Sequence, residues 1–368
     1  MDDIRYWIGF NLTPRIGPVR LEALIEYFGD VETAWRADAA SLRAANLPQD
    51  ALDRLIHTRE HIDLDAELSK VNTLGLKVIN WDSPSYPAML KNIAYPPPVL
   101  YVRGELTSDD AHSMAIVGTR HASAYGKEAA RRLSRGLAEN GLTIVSGLAL
   151  GIDEVAHEAA LEANGRTIAV CGCGLDIVYP ERHRDLAERI ARSGALISDY
   201  PLGVKPEPAN FPPRNRIISG ISMGTVVVEA DIKSGALITI NFALEQGRET
   251  FAVPGNIYNR TSTGTNALIQ RGEAKLVTCA QDVIEELRFD APLDLGAENG
   301  NSRGGMALVP ETPTEQLLWD HISAEPIHID DLMRETLLSP AEVSGTLSVM
   351  EIKGLVKRVD YARFVRSN

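Results

Sequence analysis

Six short apolar runs recur between residues 114 and 253, and helical segments separate them. The runs cover residues 114–117, 142–145, 167–170, 195–198, 225–228 and 250–253. Strand-like runs that alternate with amphipathic helices indicate a parallel sheet covered by helices on both faces. This alternation predicts a doubly wound α/β domain, and it constrains the fold more than any other feature of the sequence.

A small helical domain is predicted before this α/β domain, over residues 1–78. Its apolar residues recur at helical spacing, with breaks at Gly29, Pro48 and Gly75. Residues 14–19 resemble the hairpin of a helix-hairpin-helix or SAM-like module, whose backbone N–H groups can hold a phosphate. Positions 1–80 carry 9 basic and 13 acidic residues, which favours packing or protein contact there over DNA contact.

The α/β domain itself is predicted over residues 79–290, and two further segments follow it. Its first part is rich in proline, and we interpret the apolar stretch 99–102 as an extended connector that lies against the sheet. Residues 291–311 are rich in glycine and asparagine, which predicts a flexible linker. Residues 312–368 show three helical stretches and then two strand-like runs, the order of a winged helix. These five elements are predicted near residues 314–322, 329–335, 341–353, 355–359 and 363–365.

Charge and cysteine content bound the partners and the compartment. The net charge is −13, but residues 111–290 carry 19 basic and 21 acidic residues. A nucleic-acid site would therefore be a local patch in this nearly neutral region. Three cysteines cannot form a disulfide framework. The N-terminus is acidic where a signal peptide would be basic, and no apolar run approaches the ~20 residues that are needed to span a membrane. These features predict a cytoplasmic protein that does not enter a membrane.

Four small-residue loops follow predicted strands and open helices. One such loop would mean little, because tight turns need glycine in any fold. Four loops at one edge of a parallel sheet bring backbone N–H groups and helix N-termini to the crevice at the topological switch point, which predicts phosphate binding. The loops cover residues 117–120, 146–151, 171–174 and 234–236.

The common nucleotide cofactors are excluded by the signatures that are missing. None of the loops completes G-x-G-x-x-G, and the second strand ends without the acidic residue that holds a ribose. No G-x-x-x-x-G-K-[ST] sequence is present, which excludes a Walker-type ATPase. We therefore expect no cofactor. Arg120 stands beside the first loop and can add a bidentate charge to the backbone cradle.

Residues 210–218 combine an aromatic side chain with two arginines just before a helix. Phe211 can stack on a base, while Arg214 and Arg216 hold phosphates. The alternative is a phenylalanine that fills the core and arginines that pair with acids. Beside four phosphate loops, the nucleic-acid interpretation is favoured.

Candidates for catalysis are few. Asp153 and His157 share a helix face and Glu154 adjoins them, which could suggest a metal or a general base. A helix cap at Asp153 and a packed His157 are commoner, so neither a catalytic nor a metal site is predicted. The three cysteines, at positions 171, 173 and 279, lack the spacing of a zinc site and are interpreted as small buried residues.

Taken in order, these motifs resemble the DprA/Smf family of DNA-processing proteins. The resemblance rests on residues 115–120, 146–157, 179–180, 211–216, 228–235 and 253–256, and it spans about residues 81–287. It implies a protein, not an enzyme, that binds incoming single-stranded DNA during natural transformation. It also implies a homodimer formed through a Rossmann-like α/β domain, and loading of the RecA recombinase onto the bound strand.

The resemblance and the glycine loops together indicate which residues line the DNA path. The family places a basic residue near the phenylalanine, and Lys205 is the candidate here. The predicted nucleic-acid contacts are Gly118, Thr119, Arg120, Ser146, Gly147, Gly151, Gly174, Lys205, Phe211, Arg214, Asn215, Arg216, Ser234 and Gly235.

Two other classes of function compete with this one. Phosphoribohydrolases that cleave nucleotides share this kind of sheet, but their P-G-G-x-G-T-x-x-E signature is absent here. A transcriptional regulator would use the winged helix to read a duplex. Residues 308–352 carry nine acidic residues and one basic residue, which predicts a protein-interaction or regulatory module instead.

Overall fold

A computed structural model describes residues 3–289, 312–323, 327–336, 338–352, 355–358 and 363–366. The chain divides into two compact units, residues 1–293 and 294–368. The predicted linker, residues 291–311, lies outside the described residues. Across the part of the chain that is described, every helix falls short of the length or apolarity that crossing a membrane requires.

The first unit begins with short helices whose ends follow from local sequence. Asp30 and Asp38 cap two of them by accepting a hydrogen bond from the backbone N–H three residues ahead. The second helix ends before Gly29, whose φ of 91° suits glycine. The predicted breaks thus fall at helix ends. The helices are Ile4–Leu12 (α1), Pro18–Phe28 (α2), Val31–Arg36 (α3), Ala39–Ala44 (α4), Gln49–His61 (α5) and Leu64–Thr73 (α6).

A mostly parallel sheet follows, with nine strands among the described residues in the order β1-β2-β6-β5-β4-β3-β7-β8-β9. β1 pairs antiparallel with β2 and β2 with β6, whereas the pairs from β6 to β9 are parallel. The strands are Lys77–Asn80 (β1), Val99–Gly104 (β2), Ser113–Val117 (β3), Thr143–Ser146 (β4), Thr167–Val170 (β5), Ala195–Ser198 (β6), Gly224–Val227 (β7), Glu249–Ala252 (β8) and Lys275–Leu276 (β9).

Helices cover both faces of this sheet, so the predicted doubly wound α/β class is confirmed. Successive β3 residues alternate between the faces: Met114 and Ile116 pack with α8 and α9, whereas Ala115 and Val117 pack with α11 and α12. The helices are Ala88–Lys91 (α7), Ala124–Glu139 (α8), Ile152–Glu162 (α9), Arg184–Ser193 (α10), Phe211–Gly220 (α11), Ala236–Glu245 (α12), Thr263–Gln270 (α13) and Ala280–Phe289 (α14).

The stretch interpreted as a connector is a strand of the sheet. Val99 and Leu100 are fully buried, and Tyr101 and Val102 are nearly so. β2 pairs along the outer side of β6, which satisfies backbone groups that an unpaired buried segment would leave without partners. β6 lies almost a hundred residues from β2 in sequence, so no local pattern indicated the pairing of these two strands.

The second unit has the predicted winged-helix order. Thr312 and Glu315 form a capping box at the start of its first helix. Leu318, Leu332, Leu347 and Phe364 belong to its core. The described elements are Pro313–His321 (α15), Ile327–His328 (β10), Ile329–Thr336 (α16), Pro340–Ile352 (α17), Val356–Arg358 (β11) and Arg363–Arg366 (β12), and the strands pair in the order β10-β12-β11.

Candidate nucleic-acid interface

The candidate site lies at the carboxyl edge of the sheet, between β3 and β7. These neighbouring strands are followed by helices that run to opposite sides: α8 leads to β4, and α12 leads to β8. The loops after the two strands therefore diverge and leave a crevice, which is where open α/β sheets bind ligands. The sequence predicted phosphate loops at this switch point.

A pocket of about 270 Å³ occupies the crevice. Loops after β3 and β7 supply its walls, together with the first turn of α11. Seven of the predicted contact residues border it: Gly118, Thr119, Arg120, Arg214, Asn215, Ser234 and Gly235. His121, which the sequence analysis did not single out, also borders it.

A buried glutamate holds the loop after β3 in place. Glu229, at the end of β7, is 2% exposed, and its carboxylate accepts hydrogen bonds from the Ser123 N–H at 2.8 Å and the Ser123 hydroxyl at 2.6 Å. Its backbone carbonyl accepts from the Thr119 N–H at 2.8 Å. The Thr119 amide is thus engaged within the protein, so Glu229 fixes the course of the loop that carries Arg120. No local sequence pattern indicates this role, because Glu229 lies over a hundred positions from Ser123.

Arg120 is exposed at the rim of the pocket. Its guanidinium carbon lies 5.4 Å from the ring centroid of Phe211. Among the residues that the structure describes, Arg120 forms no ion pair and no side-chain hydrogen bond. A cation that is held on an aromatic face and is not neutralised is available to an anion from solvent.

Arg214 has a different environment, because its side chain is buried. The residue is 5% exposed, and its guanidinium donates to the Val170 carbonyl and to the Asn215 side chain. Burial raises the pKa of the neighbouring Asp153 carboxyl, and the positive charge of Arg214 opposes this shift. Arg214 therefore places a buried positive charge at the wall of the pocket, where it also supports the loop after β4.

Arg216 does not reach the pocket. Its guanidinium pairs with Asp199 at 2.9 Å, and the side chains of both residues are about one-sixth exposed. It also donates to the carbonyls of Tyr95 and Pro213. Residues two apart on a helix point about 200° from each other, so Arg214 and Arg216 cannot both face one pocket. The geometry of Arg216 therefore fits an arginine that pairs with an acidic residue, and it does not fit an arginine that holds a phosphate in this pocket.

Phe211 is half-buried at the start of α11. A Cβ atom at Gly172 would come within 2.9 Å of its ring, so the loop after β5 packs against it. The Tyr179 ring lies 5.8 Å away, tilted by 36°. Phe211 thus joins a small group of flat side chains with Arg120, Arg214 and Tyr179, and the two arginines of this group border the pocket.

Other predicted contacts have structural roles. The Ser146 hydroxyl donates to the Ile116 carbonyl at 2.6 Å, and the Gly174 N–H donates to the Val204 carbonyl at 3.0 Å. The Gly151 N–H donates to Glu154 at 3.4 Å. These two amides are therefore not free for a phosphate, contrary to the expectation for Gly151 and Gly174. Glycine is needed at Gly151 because its φ is 84° and a Cβ atom there would lie 2.5 Å from the Thr119 carbonyl oxygen.

Gly147 and Lys205 complete the predicted set. Gly147 is buried between two charged groups, since an added Cβ would lie 2.6 Å from Asp153 Oδ2 and 2.9 Å from Arg214 Nη2. Lys205 is exposed, and its carbonyl accepts a hydrogen bond from Asn210 at 3.1 Å. Neither residue borders the pocket.

The candidate catalytic histidine is packed in the interior. His157 is fully buried; its Nε2 lies 2.6 Å from the Gly147 carbonyl oxygen, and its Nδ1 lies 2.6 Å from the Thr167 hydroxyl. Burial lowers the pKa of His157 to about 4, so the ring is neutral. Both ring nitrogens are engaged in hydrogen bonds, as expected for a histidine that packs in the core and is not catalytic.

The cysteines follow the sequence interpretation only in part. Cys171 and Cys173 are buried, and burial raises the pKa of Cys171 to about 12. Cys279 is exposed, so its interpretation as a buried residue was wrong. It precedes α14, where its N–H donates to Asp282 at 3.2 Å, a capping position that faces solvent. Within the described ranges, no three His, Cys, Asp or Glu side chains are grouped as metal ligands would be.

Sequence comparison assigns the two units to matching family models. Residues 77–288 match the model described as DNA recombination-mediator protein A, and residues 305–360 match the DprA winged helix domain. Protein Smf of Synechocystis sp. is 35% identical over 391 residues, which covers 98% of each chain. DNA processing protein DprA of Bacillus subtilis is 45% identical over 214 residues, or 58% of this chain and 72% of that protein.

Solved structures agree with these matches. The X-ray structure of DNA processing protein A from Streptococcus pneumoniae aligns with a TM-score of 0.69 at 36% identity, covering 78% of this chain and 99% of that one. DNA processing protein A from Helicobacter pylori, described for its single-stranded DNA binding mode, aligns with a TM-score of 0.53 at 32% identity, covering 58% and 96%. A family model that covers more than half of the sequence, a full-length relative and a shared fold lead to one conclusion: the chain belongs to the DprA/Smf family of DNA recombination-mediator proteins.

Proposed function

We propose that this protein binds single-stranded DNA at the carboxyl edge of its sheet and delivers the strand to the RecA recombinase during DNA processing in natural transformation. The observation that carries the proposal is the exposed Arg120, which lies on the face of half-buried Phe211 at the rim of the pocket. The pair offers a charge to a phosphate and a flat surface to a base. The single-stranded DNA binding mode described for the Helicobacter pylori relative supports it.

Stacking favours a single strand over a duplex at such a site. A duplex keeps its bases paired and stacked inward, so Phe211 gains nothing from it. A splayed strand can place a base on an aromatic ring, which is worth roughly 1–3 kcal/mol. The net charge of −13 repels any polyanion, so attraction must come from the local cations at this edge.

Binding is proposed to need neither ATP nor a divalent cation, and the protein is proposed not to be an enzyme. The loops lack a Walker lysine, and both nitrogens of His157 are engaged within the core. We expect single-strand affinity to be unchanged by EDTA or by ATP. Base release from nucleoside monophosphates by the pure protein would contradict this part and favour the phosphoribohydrolase class.

Action on RecA and dimer formation are also part of the proposal. Membership of a recombination-mediator family supports them. We expect the protein to be a homodimer in sedimentation and to shorten the lag of RecA filament formation on a long single strand. An unchanged lag at saturating protein would contradict the loading role. Both activities are expected in the cytoplasm.

The central test compares single-stranded and duplex DNA of one sequence with the full chain. We expect tighter binding of the single strand, and Arg120→Ala to weaken it roughly tenfold or more, about 1.4 kcal/mol. Arg189→Ala is the matched control, because Arg189 is an exposed arginine of α10 away from the pocket. A preference for duplex, or equal loss in both variants, would refute the proposed site.

A further inference from the structure

We propose that Tyr179 is a second base-stacking side chain, so that the strand continues past Phe211 and places two successive bases on two aromatic rings. This inference rests on the proposed function and extends it to a residue outside the predicted contacts. The ring centroids of Tyr179 and Phe211 are 5.8 Å apart, with a tilt of 36° between the planes. Two rings in contact in this way provide neighbouring aromatic surfaces, and base–aromatic stacking tolerates any base sequence.

Exposure makes Tyr179 the more accessible ring of the pair. Tyr179 is 45% exposed, whereas Phe211 is half-buried against Gly172. Among the described residues the Tyr179 hydroxyl has no hydrogen-bond partner. An exposed aromatic ring that packs on another ring and does not use its hydroxyl is not explained by packing alone.

The space beside Tyr179 can accept a base. A cavity of about 640 Å³ adjoins the ring, between the loop after β5 and the segment that joins α6 to β1. Its other apolar walls include Leu74, Leu76 and Leu175. A base that stacks on Tyr179 would thus exchange water for an apolar surface on one side and a ring on the other.

Charges at this cavity indicate that Tyr179 binds the base and not the phosphate. Arg103 pairs with Glu188 at 2.6 Å, and Arg184 pairs with Glu181 at 3.4 Å. Asp176 adds a further carboxylate to the lining. Since the cations here are neutralised, phosphate contacts remain with Arg120 and the pocket, and the contribution of Tyr179 should not depend on salt.

The test measures the affinity of Tyr179→Ala, Tyr179→Phe and Tyr27→Ala for a twenty-nucleotide thymidine strand and for an abasic strand of equal length. Tyr27 is the matched control, since it is 56% exposed in α2 and its ring lies 4.9 Å from that of Phe28. We expect Tyr179→Ala to weaken thymidine-strand binding by about 5-fold to 100-fold with an unchanged salt slope. Tyr179→Phe and Tyr27→Ala should stay within about twofold of the parent.

On the abasic strand, the parent and Tyr179→Ala should bind alike, because no base is present to stack. Parent-like affinity of Tyr179→Ala for the thymidine strand, or an equal loss on both strands, would overturn the inference.

Should Tyr179→Ala unfold, Tyr179→Trp provides a second measurement. The thymidine strand should quench the fluorescence of the added tryptophan, and absence of quenching would overturn the inference. A parent without single-strand preference would refute the proposed function itself. Weaker binding by Arg120→Ala together with parent-like binding by Tyr179→Ala would refute only the role of Tyr179.

Discussion

At the scale of single residues, Arg120 and Phe211 share one surface. The guanidinium lies over the ring, so a base that stacks on that face must displace it. Once displaced, the guanidinium is free to pair with a phosphate of the same strand. Breaking such a contact at an exposed site costs about 0.5–1 kcal/mol. The two side chains are therefore expected to act as a coupled pair.

We expect Arg120→Ala to weaken binding to all single-stranded sequences and to make the salt slope shallower by roughly 0.7 for each phosphate that no longer has a cation beside it. Phe211→Ala should weaken binding with the slope unchanged. The double variant should lose more than the sum of the two, by about 0.5–1 kcal/mol, because either single substitution already removes the cost of breaking the contact between Arg120 and Phe211. Anisotropy titrations across a salt series measure all three quantities. Additive losses would show that the two residues act independently. Parent-like binding by both single variants, in proteins shown to be folded, would refute the proposed binding site.

His157 should make stability depend on pH. Its pKa is about 4 in the folded protein and about 6.5 when unfolded, so the unfolded chain binds the extra proton between these values. Stability is therefore highest above pH 6.5 and falls as the pH is lowered towards 4, by ~3 kcal/mol at most for this shift. Urea unfolding of the parent and of His157→Gln at several pH values measures the difference. An identical pH dependence in both proteins would contradict the assignment.

Residues 211–216 show how much of the candidate site could be predicted from the sequence. The cluster Phe211, Arg214 and Arg216 predicted cations beside an aromatic ring, and the guanidinium carbon of Arg214 lies 5.7 Å from the ring centroid of Phe211. It did not indicate which arginine is neutralised, because Asp199 belongs to another part of the chain and the helix turns by about 200° between positions 214 and 216. The role of Arg120 was easier to predict than that of Arg216, because no ion pair with a distant residue neutralises Arg120 among the described residues.

At the scale of elements, the glycine loops separate into two kinds. Gly147 is enclosed by Asp153 and Arg214, whereas a Cβ at Gly235 would meet nothing within 4 Å. The first glycine is needed by the fold. The second leaves room for a ligand near the N-terminus of α12.

We expect Gly147→Ala to destabilise the protein by about 1–3 kcal/mol, because the methyl would overlap two charged groups. Gly235→Ala should leave Tm unchanged and weaken single-strand binding by about 1 kcal/mol, because the methyl group would occupy open space that a phosphate needs to reach the backbone N–H. Thermal unfolding and binding of both variants provide the comparison. A lower Tm for Gly235→Ala than for Gly147→Ala would reverse the assignment.

Central and edge strands differed in how well they could be predicted. β3 to β8 are buried on both faces, so each is a continuous apolar run, and every predicted run overlaps its strand. β9 has two residues, both exposed, and β1 begins with the exposed Lys77. Such edges are short and partly solvated, so they carry little hydrophobic pattern.

At the scale of the whole molecule, both units carry net negative charge, and residues 308–352 of the second unit hold nine acidic residues and one basic residue. The exposed start of α17 presents Glu342 and Ser344, where a duplex-reading helix usually carries arginine or lysine. We therefore expect the single strand to be held by the first unit and not by the winged helix.

Deleting residues from 291 onward is expected to leave single-strand affinity within a few-fold of the full chain, since the proposed contacts all lie in the first unit. Binding of one oligonucleotide by both proteins at equal salt checks this expectation. A loss of about 100-fold, or ~2.7 kcal/mol, would assign a binding role to the winged helix.

Arg120 and Gly235 border the pocket in the crevice between β3 and β7, and both residues are exposed to solvent. A strand can therefore approach it sideways, at any internal position, without threading a free terminus through the protein. A covalently closed circle of single-stranded DNA should consequently bind as tightly, per site, as a linear strand of the same sequence. Dependence on a 5′ or 3′ terminus would mean that the strand enters by another route.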